Sequence, residues 1–348
     1  MKISQSLAAI LVEQNEPLQI ESIEFPSELE IGQVLVKLHY SGICGSQLGE
    51  IRGVKGDDKF LPHLMGHEGC ATVLEVGPGV KTIADGDLVV LHWKKGDGIQ
   101  SNPPKYKLRG EKINAGWITT FNEYAIVSEN RCTTIPKDTN KKIASLFGCA
   151  ITTGFGVIEN NANLKIGESI VIYGSGGIGL NMIQAASLRN AFPIIAVDLT
   201  DEKLHLAKQI GATHTINSNY YDPEKRINEI LGKNRLDVFI DNTGIPSVIE
   251  MGYKITDING RVVLVGVPRI GNNINLFSLP LHFGKTILGS HGGDIKPEKD
   301  ILRYLNLIKN REINLEILIS QFCNLEDINF AISKLTKGEI PGRLMIKF

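Results

Sequence analysis

The chain has 348 residues, with 37 Lys and Arg against 38 Asp and Glu and a formal net charge of −1. Its length predicts about two domains, and the balanced charge gives no support for a nucleic-acid partner or an anionic membrane surface. No apolar run reaches the roughly 18 residues that a membrane-spanning helix needs, and we expect no signal peptide. Five cysteines, an odd number, favour a reducing compartment, so we expect a cytoplasmic protein.

The first 150 residues are predicted to form a strand-rich domain. Short β-type runs separated by Gly, Pro and Asp occur at 34–42, 71–77, 87–93 and 122–128. This pattern favours a compact antiparallel or barrel-like domain. A polar loop at 94–116 is predicted to lack regular structure, and loops of that length tend to be functional or interfacial.

From about residue 151 the pattern changes to helices that alternate with buried strands. Strand-like runs occur at 170–173, 194–197, 213–217, 237–244, 262–267 and 286–290. The alternation predicts a parallel, doubly wound sheet. The tail after about residue 294 is predicted to be helical and to end in the strand RLMIKF.

A glycine-rich loop follows the first of these strands, in the sequence IVIYGSGGIGL. It matches G-x-G-x-x-G, and the strand before it and the helix after it favour a dinucleotide-binding βαβ unit over a plain connecting turn. Such glycines allow a tight turn, close approach of the pyrophosphate and packing of the helix on the strand. The residues predicted to contact a cofactor here are Gly174, Gly176, Gly177, Ile178 and Gly179.

Asp198 ends the second strand of this unit and determines the expected cofactor. A carboxylate at that position accepts hydrogen bonds from the ribose hydroxyls and repels a 2′-phosphate, so NAD is favoured over NADP. Lys203, five residues further on, is either a second ribose contact, which weakens this preference, or a solvated lysine in the next helix.

Three residues of the first domain have the chemistry of a metal site. Cys44 and His67 lie in glycine-flanked turns, and Cys149 precedes the helix that opens the second domain. Two thiolates and one imidazole leave zinc an open position, as in catalytic sites. Taken singly, each residue is better explained as a buried thiol or a structural histidine, and their spacing matches no short metal motif. His63, four residues before His67, is interpreted as structural because Pro62 and Gly66 predict a turn there.

The chain resembles the zinc-dependent medium-chain dehydrogenase/reductase superfamily, which includes the zinc-containing alcohol dehydrogenases. The matching segments, in the family's order, are GICGS, GHEG, GDLVVLHW, TFNEYAIV, GCAITTGFG, YGSGGIGL, IIAVD, VVLVGVP and GRLMIKF. The resemblance implies an α/β protein with a GroES-like β-rich catalytic domain (1–150 and 294–348) and a doubly wound Rossmann NAD-binding domain (151–293). It also implies zinc and NAD as cofactors and a small-molecule alcohol or carbonyl compound as substrate.

The resemblance further assigns roles to residues at the matching positions. Cys44, His67 and Cys149 match the ligands of the catalytic zinc. Glu68 matches a carboxylate that approaches the metal, and Ser46 matches the first group of the proton relay.

Five more positions are assigned only by this resemblance. Thr153 and the backbone around Val267 are expected to contact the nicotinamide end of the cofactor. Arg343 is expected to reach the pyrophosphate, although a surface charge on an edge strand is the alternative. Trp93 and Phe121 are expected to line the substrate pocket, although core packing alone would also explain either residue.

The sequence also departs from the family's pattern. Many relatives bind a structural zinc through four close cysteines after the DLVVLHW strand, but residues 94–116 contain none, so we expect one catalytic and no structural zinc. Gln47 stands where many relatives have an Asp that orients the zinc-bound histidine, which reduces ligand basicity. Gly49 and Gly45 replace, respectively, a relay histidine and a basic pyrophosphate contact of some relatives.

The leading hypothesis is a zinc- and NAD-dependent oxidoreductase that interconverts an alcohol, including polyol or sugar-like alcohols, and its aldehyde or ketone. The alternatives are a zinc-free, quinone-reductase-like enzyme of the same superfamily and a non-catalytic NAD-binding protein. We also expect a homo-oligomer, a dimer or a tetramer, with no nucleic-acid or membrane partner.

Overall fold

The computed structural model describes residues Met1–Phe348. The chain divides into two compact units, one of Met1–Thr152 with Lys296–Phe348 and one of Thr153–Ile295. Each of these divisions lies two residues after the boundary expected from the sequence, at 150 and 293. Each unit is described by itself below.

The helices and strands follow in chain order. The N-terminal segment contains β1 (Gln5–Leu11), β2 (Gln19–Glu24), β3 (Gln33–Ile43), α1 (Gly45–Ile51), β4 (His63–Leu64), β5 (Glu68–Val76), β6 (Leu88–His92), β7 (Tyr106–Leu108), β8 (Glu111–Ile113), β9 (Tyr124–Ser128), β10 (Cys132–Ile135) and α2 (Lys141–Leu146). The middle segment contains α3 (Ala150–Gly156), β11 (Ile170–Tyr173), α4 (Gly177–Leu188), β12 (Ile194–Asp198), α5 (Asp201–Gln209), β13 (His214–Asn217), α6 (Pro223–Leu231), β14 (Leu236–Asp241), α7 (Pro246–Ile255), β15 (Thr256–Leu264) and β16 (Thr286–Gly289). The C-terminal segment contains α8 (Pro297–Asn310), β17 (Ile319–Cys323), α9 (Ile328–Thr336) and β18 (Arg343–Lys347).

The first unit contains two sheets, in agreement with the predicted GroES-like β-rich domain. One has the strand order β4-β1-β2-β7-β8, and the other has the order β10-β6-β5-β3-β18-β17, with β9 also pairing with β3. The C-terminal strand β18 pairs antiparallel with β3, joining Leu344 to Ile43. Residues from both ends of the unit share one apolar cluster, so burial of the C-terminal segment stabilises the N-terminal sheets.

The prediction that residues 94–116 lack regular structure was wrong. Strands β7 and β8 form an antiparallel hairpin there that extends the first sheet. Tyr106 and Ile113 anchor it because both side chains are fully buried. The buried carboxylate of Glu129 holds the start of the segment by accepting the backbone N–H of Ile99 at 2.7 Å. The unit's own packing therefore holds this segment, through long-range contacts that local periodicity does not reveal.

The second unit is the predicted parallel, doubly wound sheet. Its strand order is β13-β12-β11-β14-β15-β16, and every adjacent pair is parallel. This is the order expected of a dinucleotide-binding fold, with the ligand crevice at the carboxyl ends of the central strands. β11 and β12 are almost entirely buried, which explains their continuous apolar runs. No helix in either unit is both long and apolar enough to cross a membrane.

Candidate metal centre and cofactor site

The first unit brings the three predicted metal ligands together. Cys44 directly follows β3, His67 directly precedes β5, and Cys149 directly precedes α3. Their ligand atoms, two Sγ and one imidazole nitrogen, all lie within 4.8 Å of one another. Tetrahedral zinc with bonds of about 2.0–2.3 Å needs ligand atoms roughly 3.6–3.8 Å apart, so small side-chain adjustments suffice to close the site.

The electrostatics of this cluster fit a dication. A hydrogen bond with Cys149 and the adjacent His67 ring lower the pKa of the Cys44 thiol well below its usual value, although burial opposes the shift. The thiolate is the form that binds a metal. The Nε2 atom of His67 is buried and has no hydrogen-bond partner within the protein. A metal ion would satisfy this nitrogen, whose isolation is otherwise costly.

Gln47 connects the imidazole to the start of α1. Its side chain is 1% exposed, and its Oε1 accepts the backbone N–H of Cys44 at 2.7 Å. Only an oxygen can accept that bond, so the amide Nε2 faces His67 Nδ1, at 2.8 Å. An amide nitrogen only donates, and Nδ1 is therefore the acceptor here. The arrangement differs from a carboxylate partner, which would accept a proton from Nδ1.

Glu68 and Arg343 form a buried ion pair beside these ligands. Glu68 is fully buried and Arg343 is 4% exposed, and the guanidinium contacts the Glu68 carboxylate. The second carboxylate oxygen accepts the backbone N–H of Ala150 at 3.2 Å, next to Cys149. The pair thus braces the segment that carries one ligand. The predicted roles of Glu68 toward the metal and of Arg343 toward the pyrophosphate stay predictions.

The other three residues assigned to the catalytic site have different environments. Ser46 is exposed in the first turn of α1, two residues after Cys44. Trp93 is partly buried just after β6. Phe121 is fully buried in the apolar cluster of the first unit. Core packing accounts for this position in the structure, and a place in the pocket wall stays a prediction.

In the second unit, the glycine-rich loop between β11 and α4 has the conformation that its sequence predicts. Gly174 has a φ of +100°, which a side chain would strain. A Cβ atom on Gly179 would collide with the carbonyl oxygen of Gly174, whereas one on Gly176 would meet no atom within 4 Å. Gly177 begins α4, and Ile178 follows it in the first turn. The loop thus leaves space beside Gly176 at a helix N-terminus.

Asp198 lies at the carboxyl end of β12 and contacts this loop. Its Oδ2 accepts the Ser175 N–H at 2.7 Å, and its Oδ1 accepts the Leu199 N–H at 2.8 Å. The Lys203 ammonium lies 3.5 Å from Oδ1. Oδ2 has only one protein donor, so it retains capacity to accept a bond from a ligand hydroxyl. Lys203 partly offsets the negative charge that would exclude a 2′-phosphate.

Thr153 and Val267, the residues expected near the nicotinamide, differ in exposure. Thr153 is 5% exposed within α3, whereas Val267 is 56% exposed after β15. The backbone of Val267 lies close to Gly244, where a Cβ atom would stand 2.8 Å from the Val267 carbonyl group. Their contacts with a cofactor stay predictions.

A turn after the neighbouring strand β14 supports the glycine loop and was not predicted from the sequence. Asn242 donates from Nδ2 to the Gly174 carbonyl at 3.1 Å. The preceding residue, Asp241, is fully buried and accepts the N–H of Thr243 and of Gly244 at 3.0 and 2.9 Å. The signal was available, since a D-N-T-G turn follows a buried strand that pairs with β11.

Comparisons with known proteins bear on both units. Residues 30–137 match a family model described as alcohol dehydrogenase GroES-like domain, and residues 177–310 match one described as zinc-binding dehydrogenase. Together the two models span more than half of the chain. The chain belongs to the zinc-dependent medium-chain dehydrogenase/reductase superfamily.

Individual relatives agree with this placement. S-(hydroxymethyl)glutathione dehydrogenase of Haemophilus influenzae is 28% identical to this chain. The match covers 96% of this chain and 95% of the relative. Among solved structures, an alcohol dehydrogenase zinc-binding domain protein of Burkholderia ambifaria is 28% identical with a TM-score of 0.90, and 99% of each chain is covered. Benzyl alcohol dehydrogenase of Acinetobacter calcoaceticus is 28% identical with a TM-score of 0.89, covering 99% of this chain and 100% of its own.

The predicted fold class and activity class are confirmed by these relationships. The protein is an alcohol oxidoreductase, and zinc and NAD are the cofactors of enzymes of this kind. The zinc-free alternative does not fit the assembled cysteine and histidine ligands, which such an enzyme has no reason to bring together.

Proposed function

We propose that the protein oxidises a primary or secondary alcohol, polyols included, or reduces the corresponding carbonyl compound, with NAD and a single catalytic zinc. The observation that carries this proposal is the convergence of Cys44, His67 and Cys149 within 4.8 Å. Two thiolates and one imidazole make a three-ligand site, which leaves one position for the substrate oxygen.

The chain's own residues divide the work of the reaction. When bound, zinc supplies a Lewis acid for the substrate oxygen, and NAD supplies the hydride acceptor. Cys44, His67 and Cys149 hold the metal, and the Glu68–Arg343 pair braces the backbone at Ala150, directly after Cys149. The exposed Ser46 hydroxyl takes the substrate proton at its Oγ and passes it to water, since Gly49 offers no side chain to continue the relay.

Cofactor preference follows from the end of β12. Asp198 Oδ2 accepts a hydrogen bond from a ribose hydroxyl, and the glycine loop holds the pyrophosphate at the N-terminus of α4. The nearby Lys203 ammonium weakens the repulsion of a 2′-phosphate, so we expect NAD to be preferred over NADP but not to the exclusion of NADP. The homo-oligomeric state and the cytoplasmic location stay predictions.

The deciding experiment measures tightly bound zinc and alcohol oxidation together. After exhaustive dialysis against a weak chelator, the wild type should retain about one zinc per chain. It should also oxidise part of a panel of aromatic, aliphatic, secondary and vicinal-diol alcohols with NAD. Cys149→Ser should lose both properties, because an alcohol side chain is a poor zinc ligand.

Cys132→Ser is the matched control, since Cys132 is a buried thiol that bonds weakly to the Ser128 carbonyl at 3.8 Å. It should keep both zinc and activity. Oxidation by a zinc-free protein would contradict the metal mechanism. Retention of two tightly bound zinc ions would contradict the single site, and zinc without any NAD-linked oxidation would favour the non-catalytic alternative.

A further inference from the structure

A second group of metal-ligating side chains lies in the first unit, apart from the catalytic ligands. His63, Asp58 and Glu50 present one ligand atom each, and these atoms all lie within 4.8 Å of one another. His63 belongs to the short strand β4, Glu50 to α1, and Asp58 to the turn between them. The alcohol oxidoreductase chemistry described above uses none of the three.

The hydrogen bonding of His63 determines what its ring can do. Nδ1 lies 2.9 Å from the Leu64 carbonyl oxygen, which only accepts, so Nδ1 carries a proton. Nε2 of the neutral ring then presents a lone pair. This is the tautomer and the carbonyl contact that metal-binding histidines commonly show. The His63 side chain is only 9% exposed, so water offers Nε2 little compensation.

Both carboxylates converge on that same nitrogen. Asp58 Oδ2 lies 2.9 Å from Nε2, and Glu50 Oε1 lies 3.8 Å from it. Asp58 Oδ2 accepts a hydrogen bond from Nε2 when that nitrogen carries a proton, and a metal ion can take the place of this proton. A proton on Nε2 would be neutralised by the Asp58 carboxylate alone, and it would leave the second carboxylate, that of Glu50, without a role here. Two carboxylates and one imidazole at such spacings match the first ligands of a divalent transition-metal ion, and their two negative charges balance its charge.

The position of Asp58 is set by its surroundings. Its Oδ1 accepts the Phe60 N–H at 2.8 Å, so Oδ2 is the oxygen that faces His63. Its own N–H donates to Gln14 Oε1 at 3.3 Å. Glu50 is 44% exposed and completes the group from the solvent side, where water can fill the remaining coordination positions.

We propose that Glu50, Asp58 and His63 form a second, exchangeable binding site for a divalent first-row transition-metal ion. Its oxygen-rich ligand set is chemically distinct from the thiolate site. A bound ion would link α1, the turn after it and β4, all within the segment that leads from Cys44 to His67.

The test uses the zinc-loaded full chain and cobalt(II) as the probe. After equilibrium dialysis, zinc and cobalt are counted separately by mass spectrometry, so that cobalt that has displaced zinc is recognised. We expect about one cobalt per chain in addition to the retained zinc. His63→Gln should lose the cobalt, and Glu50→Gln should weaken cobalt binding at least tenfold, in each case without loss of zinc.

Asp57→Asn is the matched control, because Asp57 is an exposed neighbour that contributes no ligand. It removes the same charge as a substitution of Asp58 and should leave cobalt binding unchanged. Glu50 is exposed, so its variant tests the site even where His63→Gln fails to fold. Absence of added cobalt in the wild type overturns the proposal, and so does equal binding by the Glu50 and Asp57 variants. Neither result affects the zinc or activity measurements above.

Discussion

Replacing Gln47 by Glu should tighten zinc binding. The change is isosteric but replaces the amide nitrogen with an oxygen. In the structure, Oε1 is committed to the Cys44 N–H, and Nε2 donates to His67 Nδ1. A neutral imidazole that binds zinc through Nε2 must carry its proton on Nδ1, where it would face another donor. Zinc binding by the wild type therefore sacrifices a buried hydrogen bond or requires the amide to turn away from Cys44.

A glutamate removes this conflict because each of its oxygens accepts one of the two N–H groups. An unmade hydrogen bond at a buried donor costs about 1–3 kcal/mol, and substitutions of groups that orient metal ligands typically change affinity by about 10- to 100-fold. We expect Gln47→Glu to lower the zinc dissociation constant within that range, which corresponds to about 1.4–2.7 kcal/mol.

The assay is competition for zinc between the metal-free protein and a chromogenic chelator at fixed pH. Gln47→Met, which removes both polar atoms, should gain less zinc affinity than Gln47→Glu, because it offers the Nδ1 proton no acceptor. Gln19→Glu adds the same charge at an exposed position of β2 and should change nothing. Equal or weaker zinc binding by Gln47→Glu would refute the donor and acceptor assignment on which this reasoning depends.

Three further predictions concern the cofactor loop and stability. Asp198→Ala should lower the NAD-to-NADP ratio of kcat/KM by about 10- to 100-fold, because hydrogen bonds to a charged group are lost. Lys203→Ala should raise the same ratio. Steady-state kinetics with both cofactors measure these ratios. Gly179→Ala should destabilise the protein by about 1–3 kcal/mol through overpacking, while Gly176→Ala, with open space at its Cβ, should unfold in urea like the wild type and yet bind NAD more weakly. Glu129→Gln should cost about 1–3 kcal/mol of unfolding free energy. Burial raises the pKa of the Glu129 carboxyl, but its hydrogen bonds outweigh burial and leave that pKa below the ordinary value. The contribution of Glu129 to stability is therefore fully present above the ordinary carboxyl pKa, and it is lost as the pH falls through the lowered pKa of the folded state. Urea unfolding from neutral to acid pH should therefore show the two curves converging, and a constant difference would contradict this assignment.

The sequence by itself determined the nucleotide-binding unit, because the decisive signals there are local. The run Ile170–Tyr173, the glycine loop and the helical pattern after it lie in one short stretch, and each reports on its own backbone conformation. A φ of +100° at Gly174 and the close packing at Gly179 are properties that glycine alone permits, so the residue type reveals the geometry.

The tertiary structure alone decided where distant side chains meet. The three metal ligands, Cys44, His67 and Cys149, are far apart in the sequence, with several strands between the last two. No periodicity shows that β3, β5 and α3 bring them within 4.8 Å of one another. The same holds for Phe121, whose aromatic ring suits a pocket or a core equally until its neighbours are known, and for Tyr106, which holds a hairpin that was expected to be irregular. Such contacts depend on which surfaces pack together, and that is settled by the burial of the whole chain rather than by any one segment of it.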